Sequence, residues 1–416
     1  MTTTDAHDRP RCPVDQVNLL DPDTFRDGVP LELFGRMRAE APVAWHDQPG
    51  RSNDGFWVVS RYDDIVEVSR TPEVFSAAAE GVFLSTGENA DQAEADATVG
   101  LLPINMDPPE HSAYRNIVQR AFTPRTIREL EPRLVEFTHE IIDRALAKGE
   151  GDFVKDVAAE LPLLAICELL GVAAEDRTAM FDLSNRLIGF DDPEFRTSPD
   201  DAMIASTEMY MYADALADAR TACPADDVVT KLLQATVDGE ALSKEQFDIF
   251  FLLLMVAGNE TTRNAITHGM QAFFDHPEQW ERFKAERPLD TATEEIIRWA
   301  TPVIQFQRTA LSDYTLSGQL IKKGERVVIY YPSGNHDADA LADPDAFDIT
   351  RAENDHVAFG GGGPHFCLGA NLARAEIRIM FDALADRMPD IAPLGPPRYL
   401  RSMFINGIKE LPVRYR

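Results

Sequence analysis

Residues Phe359–Glu376 read FGGGGPHFCLGANLARAE: four glycines (360–363), then Pro364, His365 and Phe366, then Cys367. Leu368, Leu372, Ile377, Met380 and Leu384 roughly fit one face of a 3.6-residue period, so a helix is expected just after the cysteine. Cys367 would then lie at a helix N-terminus, where free N–H groups and the positive dipole end favour an anion. That placement predicts a depressed thiol pKa and a thiolate able to bind metal or to attack. The glycines let backbone amides turn toward the sulfur without Cβ clashes, and such hydrogen bonds tune a metal held there. Other readings stay open on this stretch alone. A lone cysteine is usually a small buried hydrophobe, and a glycine run before a helix also makes a plain loop or an anion nest.

Working outward, the 416-residue chain is 44% hydrophobic, enough for a large core. A net charge of −30 and a pI near 4.6 argue against nucleic acid as a partner and disfavour an anionic membrane surface. Cys12, Cys167, Cys223 and Cys367 show no CxxC or zinc-like spacing, which fits a reduced compartment. The opening MTTTDAHDRPRCPVD lacks an apolar signal region, and the longest apolar run, Ile249 to Gly258, falls short of the ~20 residues that cross a bilayer. The expectation is a soluble, cytoplasmic monomer with neither nucleic acid nor membrane as partner.

Residues 1–25 read as an irregular, partly mobile leader and 26–416 as one domain, with no internal repeat. Helical patterns cover Leu31–Glu40, Tyr62–Ser69, Thr126–Lys148, Pro162–Leu170 and Ala202–Ala222, with breaks at Gly149–Gly151 and Pro224. Strands are expected at Gly55–Ser60, Ile304–Leu311 and Glu325–Tyr331, with turn-rich strands near Leu400–Gly407. Residues 77–104 keep no period and read as a lid, and 191–201 as a loop. Pro108-Pro109 suits a helix start, putting His111 and Arg115 one turn apart; alone, such a pair is usually incidental.

Ser243 with Gln246 forms a capping box, and the helical pattern then runs ~30 residues to Asp275, apolar on all sides at its centre. Into it are set Ala257-Gly258-Asn259-Glu260-Thr261-Thr262. A helical Gly costs ~1 kcal/mol against Ala, and a buried carboxylate costs more unless paired. One reading is tight helix packing at Gly258 with Glu260 near the surface. The other is a flat cofactor lying on the small side chains, with Glu260 and Thr261 as a proton path. Downstream, Glu295 and Arg298 place opposite charges one turn apart.

Taken together and in order, these segments resemble the cytochrome P450 family over residues 108–376. The cysteine stretch resembles the haem loop Phe-x-x-Gly-x-His/Arg-x-Cys-x-Gly, with Gly363, His365, Cys367 and Gly369 in register. Phe359 stands one place early, and Gly360 occupies the aromatic position, a variation that touches the packing beneath the sulfur. Residues 257–262 resemble the oxygen-activation motif Ala/Gly-Gly-x-Asp/Glu-Thr-Thr/Ser. The resemblance implies a mainly α fold with small β-sheets on one side and haem b between the long helix and the cysteine loop. It implies Cys367 as axial iron ligand, and Ala257, Gly258, Gly360 and Gly369 against the haem. His111, Arg115, Arg308 and His365 would hold propionates, Glu260 and Thr261 would relay protons, and Glu295, Arg298 and Arg351 would form a buried scaffold.

The activity so implied is a monooxygenase hydroxylating an unactivated C–H of an apolar substrate. It would use O2 and electrons from NAD(P)H through a ferredoxin reductase and a ferredoxin. Docking is expected near Arg115, Arg120, Arg374 and Arg378, unless these are ordinary solvated arginines. Expected pocket walls are Val82, Phe83, Leu84, Leu101 and Leu102; Leu187, Ile188 and Phe190; Leu253, Val256 and Ala257; Val303, Ile304 and Phe306; and Met403 and Phe404. The stretches at 257–270, 294–310 and 406–415 are similar to the bacterial subgroup that hydroxylates the terminal carbon of steroid side chains and methyl-branched lipids. Alternatives are oxidation of a terpenoid or other small apolar compound, peroxide-driven chemistry (disfavoured by the Glu260–Thr261 pair), or a non-catalytic haem sensor.

Overall fold

A computed structural model describes residues 9–11, 17–50, 53–84, 99–188, 194, 201–225, 227–237 and 240–416. It is mainly helical with small sheets, as the motifs imply. The central helix, Lys244–Asp275, begins at Ser243 with both halves of the capping box formed. Its 32 residues span ~48 Å at the usual rise. Around it pack Glu160–Leu170, Asp201–Ala222, Leu289–Ala300 and Ala370–Arg387, the last also against Pro124–Lys148. Gly269 makes the meeting close: a Cβ there would lie 2.7 Å from Ile296 and 2.8 Å from the Phe381 ring.

The largest sheet orders its strands as Val43–Asp47, Gly55–Val59, Arg326–Tyr330, Gln305–Ala310 and Phe75–Ser76. All pairings are antiparallel except that of Gly55–Val59 with Arg326–Tyr330. Val327 opposite Arg308 fixes the register that sets Arg308 inside the molecule, 4% exposed. The described parts of the expected leader pack onto this sheet: Trp45 N–H donates to the Pro10 carbonyl (2.8 Å), and Arg9 lies 3.9 Å over the Trp45 ring. Leu19 and Phe25 join a core cluster with Phe34 and Tyr330.

Pro109 caps a helix over Glu110–Val118, one residue after the expected proline start. Of the expected lid, 85–98 lie outside the described residues, as do most of 191–200. No helix among the described residues is long and apolar enough to cross a membrane.

Candidate active site

The central helix, the helix Glu110–Val118, the strand Gln305–Ala310 and the loop before Ala370–Arg387 enclose a cavity of about 280 Å³. Cys367, His111, Arg115, Ala257, Gly258, Arg308, Gly360, His365 and Gly369 all line it. The helical period explains the central wall: Leu253, Ala257 and Thr261 step by four, flanked by Leu254, Gly258, Thr262 and Ala265.

The cysteine loop departs from expectation in two ways. The following helix begins at Ala370 with Gly369 as its cap, so Cys367 stands two residues before the cap. The protein packed around Cys367 raises its thiol above the ordinary range even though the residue is open to the cavity, against a Gly369 hydrogen bond and the charges of Arg115 and Arg374, which pull it down. A depressed thiol pKa is therefore not what this fold supplies by itself. Nor do the four glycines turn their amides to the sulfur; that bond comes from Gly369. They bed the loop on the helix Tyr62–Arg70, where a Cβ on Gly361 would lie 2.6 Å from Ser69 Oγ and one on Gly363 2.2 Å from the Ser69 carbonyl. Cys367 N–H donates to the Phe359 carbonyl (2.9 Å), and Arg374 lies 4.6 Å over the Phe359 ring. The shifted aromatic thus still packs beneath the loop. Arg374 in turn pairs with Glu294 (2.6 and 2.9 Å), which also meets His356. Burial lifts the Glu294 carboxyl, but His356 and Arg374 outweigh it and bring it down to about 2.

Beside the cysteine two arginines and two histidines gather. The His111 and His365 rings lie 4.1 Å apart, and His111 Nδ1 and His365 Nε2 are buried without hydrogen-bond partners among the described residues. Burial together with nearby positive charge lowers His111 to about 4 and His365 to about 2, so both rings are neutral. Arg115 and Arg308 remain protonated, as guanidinium always does in proteins. Neither has a salt bridge to a carboxylate among the described residues; Arg308 donates only to the Gln307 carbonyl (2.7 Å). Two guanidiniums facing one cavity, Arg308 buried and Arg115 half-buried, with no carboxylate bonded to either among the described residues, suit anions.

The proton-path pair divides. Thr261 Oγ1 lines the cavity and donates to the Ala257 carbonyl (2.9 Å), leaving its lone pairs toward the cavity. Glu260 stands outside that wall, 2% exposed, bound by Arg263 and by Asn264 Nδ2 (2.8 Å). Gly258 serves close packing as well: a Cβ there would meet Ile166 at 3.2 Å. Beneath, Glu295 and Arg298 are wholly buried and doubly bonded (2.8 Å each), and Arg351 Nε donates to the same carboxylate (3.1 Å). Arg298 also holds the carbonyls of Asn335, Pro344 and Ala346.

Of the expected substrate walls, Leu253, Ala257, Val303 and Phe306 line the cavity. Leu84, Ile304 and Met403 do not, because they fill the core cluster around Phe34 and Tyr330. Val82 is fully buried, its backbone tied to Asn105 and Gln307. Val256 turns off the lining face of the helix, and Leu101 sits in a short 3-10 turn outside the wall. Phe83 meets Phe306 edge-on at 6.0 Å and Phe404 meets it tilted at 5.6 Å, one layer out. The Ile188 side chain and all of Phe190 lie outside the described residues. Sequence reasoning missed Ile104, Ile166, Phe250, Leu254 and Tyr331. Phe250 and Leu254 carried a signal, their places on the helical stripe.

The family description Cytochrome P450 matches residues 165–385. The chain belongs to the cytochrome P450 family. A steroid C26-monooxygenase of Rhodococcus jostii is 52% identical over 400 residues, 95% of this chain and 84% of that protein. A methyl-branched lipid omega-hydroxylase of Mycobacterium bovis is 41% identical over 404 residues, 94% and 92% of the two chains. A Mycobacterium marinum cytochrome P450 solved in complex with pseudoionone superposes with a TM-score of 0.89 at 38% identity, covering 98% of this chain and 100% of that one. A cytochrome P450 carries haem on a cysteine thiolate. The residues here fit that group. Cys367 is the cysteine that lines the cavity among the described residues, while Cys167 is buried in the core and Cys223 is on the surface. No three His, Cys, Asp or Glu converge as a metal site among the described residues, so a metal on Cys367 must bring its remaining ligands with it. The two unpaired guanidiniums and the two orphaned imidazole nitrogens suit a pair of propionates.

Proposed function

We propose that this cytochrome P450 monooxygenase hydroxylates the side chain of a steroid or a methyl-branched lipid. The observation that carries the reading is one apolar cavity bounded by both Cys367 and the Thr261 face of the central helix. The identities of 52% and 41% with a steroid C26-monooxygenase and a methyl-branched lipid hydroxylase support the substrate class.

When bound, the haem supplies the oxygen-activating chemistry. Cys367 would hold its iron, with the Gly369 N–H tempering the charge on the sulfur. Arg115 and Arg308 would neutralise the propionates, and His111 Nδ1 would donate to one of them; His365, whose N–H already faces the Met106 carbonyl, would donate from Nε2 only once the carboxylate's charge brings that ring a second proton. Thr261 Oγ1, its own proton given to Ala257, would accept a hydrogen bond from a water in the cavity and orient it. Glu260 would supply protons from outside the wall, through an intervening water or by rotating inward. Leu253, Val303 and Phe306 would hold an aliphatic chain end and exclude bulk water.

Electrons would come from NAD(P)H through a reductase and a ferredoxin in the cytoplasm, with residues 26–416 acting as one unit. The four arginines expected at the docking face are not equivalent. Arg115 is turned into the cavity, and Arg374 and Arg378 are paired with Glu294 and Glu131 (2.6 Å each). Arg120 is exposed and without a salt bridge among the described residues, so the docking reading narrows to its neighbourhood.

The test is spectroscopic and then chemical. The reduced protein with carbon monoxide should give the red-shifted Soret band of sulfur ligation, and Cys367→His should abolish it. A panel of sterols, methyl-branched lipids and terpenoids should shift the haem spin state for the first two, with a terminally hydroxylated product. A spin shift and product confined to a small terpenoid would overturn the substrate class.

A further inference from the structure

Asn264, fully buried on the central helix one turn after Glu260, uses all of its side-chain polar atoms on two different parts of the chain. Its Nδ2 donates to the Glu260 carboxylate (2.8 Å) and to the Glu260 carbonyl (3.0 Å), while its Oδ1 accepts the Ile408 N–H (3.1 Å). The amide cannot be reversed: a backbone N–H only donates, so the oxygen must face Ile408 and the nitrogen must face Glu260.

Ile408 ends the turn that runs back from Leu400, closed by the Leu400 N–H to the Gly407 carbonyl (2.8 Å). Gly407 has no side chain where Asn264 approaches; a Cβ there would lie 3.2 Å from Asn264 Oδ1. One helical turn on, His268 Nε2 meets the Asn406 carbonyl at 3.1 Å, a second tie to the same turn. Within that turn, Phe404 stacks on Phe306, which lines the cavity, and its carbonyl accepts the Ile304 N–H (2.8 Å). A continuous chain of contacts thus runs from the Glu260 carboxylate through Asn264 and the 400–408 turn to the substrate wall.

We infer that Asn264 is a positioning residue, fixing the Glu260 carboxylate and holding it in register with the turn that walls the substrate cavity. The inference rests on the reading of Glu260 as proton supplier, and the experiment separates the two. Asn264→Asp keeps the acceptor for Ile408 and replaces the donor facing Glu260 with a second carboxylate; Asn264→Ser removes the reach to both. In the haem-loaded enzyme, hydrogen exchange at the Ile408 amide should stay protected in Asn264→Asp and speed up in Asn264→Ser. The carboxylate infrared band of Glu260, isolated against Glu260→Gln, should move in both variants. Product formed per NAD(P)H should fall roughly tenfold in both, with a larger solvent isotope effect, as for a displaced acid–base group.

An unmoved infrared band with unchanged coupling in the variants, while Glu260→Gln is impaired, overturns the role of Asn264 and leaves Glu260 in place. Unchanged coupling and isotope effect in Glu260→Gln itself overturns both. Should Asn264→Asp fail to give the carbon monoxide adduct, Asn264→Ser carries the same three measurements, since a smaller neutral side chain adds neither charge nor bulk.

Discussion

Thr261 and Glu260 are neighbours in sequence that face different surroundings, and the difference assigns them different behaviour on substitution. Thr261→Ala leaves the helix intact but removes the hydroxyl from the cavity, so product per NAD(P)H should fall on the order of tenfold while reductant use continues. Equal coupling in the variant would remove Thr261 from proton handling. Glu376 behaves otherwise. It is fully buried on the helix after the cysteine, both oxygens lack hydrogen-bond partners among the described residues, and burial raises its carboxyl well above the ordinary carboxylate range. A folded-state acid so raised binds its proton when the unfolded chain has lost it, so stability should fall as pH climbs above the unfolded carboxylate range. Glu376→Gln should therefore be at least as stable as the parent at pH 7, and the gap should close toward pH 4, measured by thermal unfolding. The residues proposed to face the cofactor, which line one cavity, could be singled out in the sequence because fixed spacings carry them: four from His111 to Arg115, two from His365 to Cys367 and from Cys367 to Gly369. The substrate wall could not. Leu84, Ile304 and Met403 are apolar for the ordinary reason that they fill a core, and nothing local distinguishes them from Val303 or Phe306.

Among the elements, helices announced themselves through caps and period. The Ser243–Gln246 box marks its start, and the helix Leu31–Glu40 ends where its pattern does. The strand Val43–Asp47 escaped notice because it is short and buried on nearly every residue, so alternation is absent. Its partner Gly55–Val59 lies close in sequence, but that strand's other neighbour, Arg326–Tyr330, comes from far along the chain, a pairing that no local signal records. Gly269 is similarly silent in sequence. Gly269→Ala should gain ~1 kcal/mol of helix propensity yet lose more by forcing a methyl onto Ile296 and Phe381, for a net loss of ~1–2 kcal/mol. An unchanged denaturant midpoint would mean the helices can part without cost. Glu295→Ala leaves Arg298 buried without its carboxylate and should cost ~3–5 kcal/mol, with haem incorporation falling in parallel.

At the scale of the whole molecule, a net charge of −30 surrounds the exposed Arg120, which stands two residues before Phe122, whose carbonyl accepts from Asn371 on the helix after the cysteine loop. An acidic electron donor would be repelled by most of the surface and drawn to that region, which gives orientation more than affinity. Arg120→Glu should raise the ferredoxin KM severalfold and flatten its salt dependence while leaving the substrate spin shift intact. Stopped-flow reduction across ionic strengths distinguishes this from a general loss of stability. Ser69, on which the cysteine loop is bedded, and Arg298, which ties the knot beneath it, do not line the cavity that Leu253, Val303 and Phe306 wall. A combinatorial library confined to those three side chains should consequently retune which molecules enter without loosening the anchorage of the iron, giving protein engineers a region where variation is tolerated beside one where it is not.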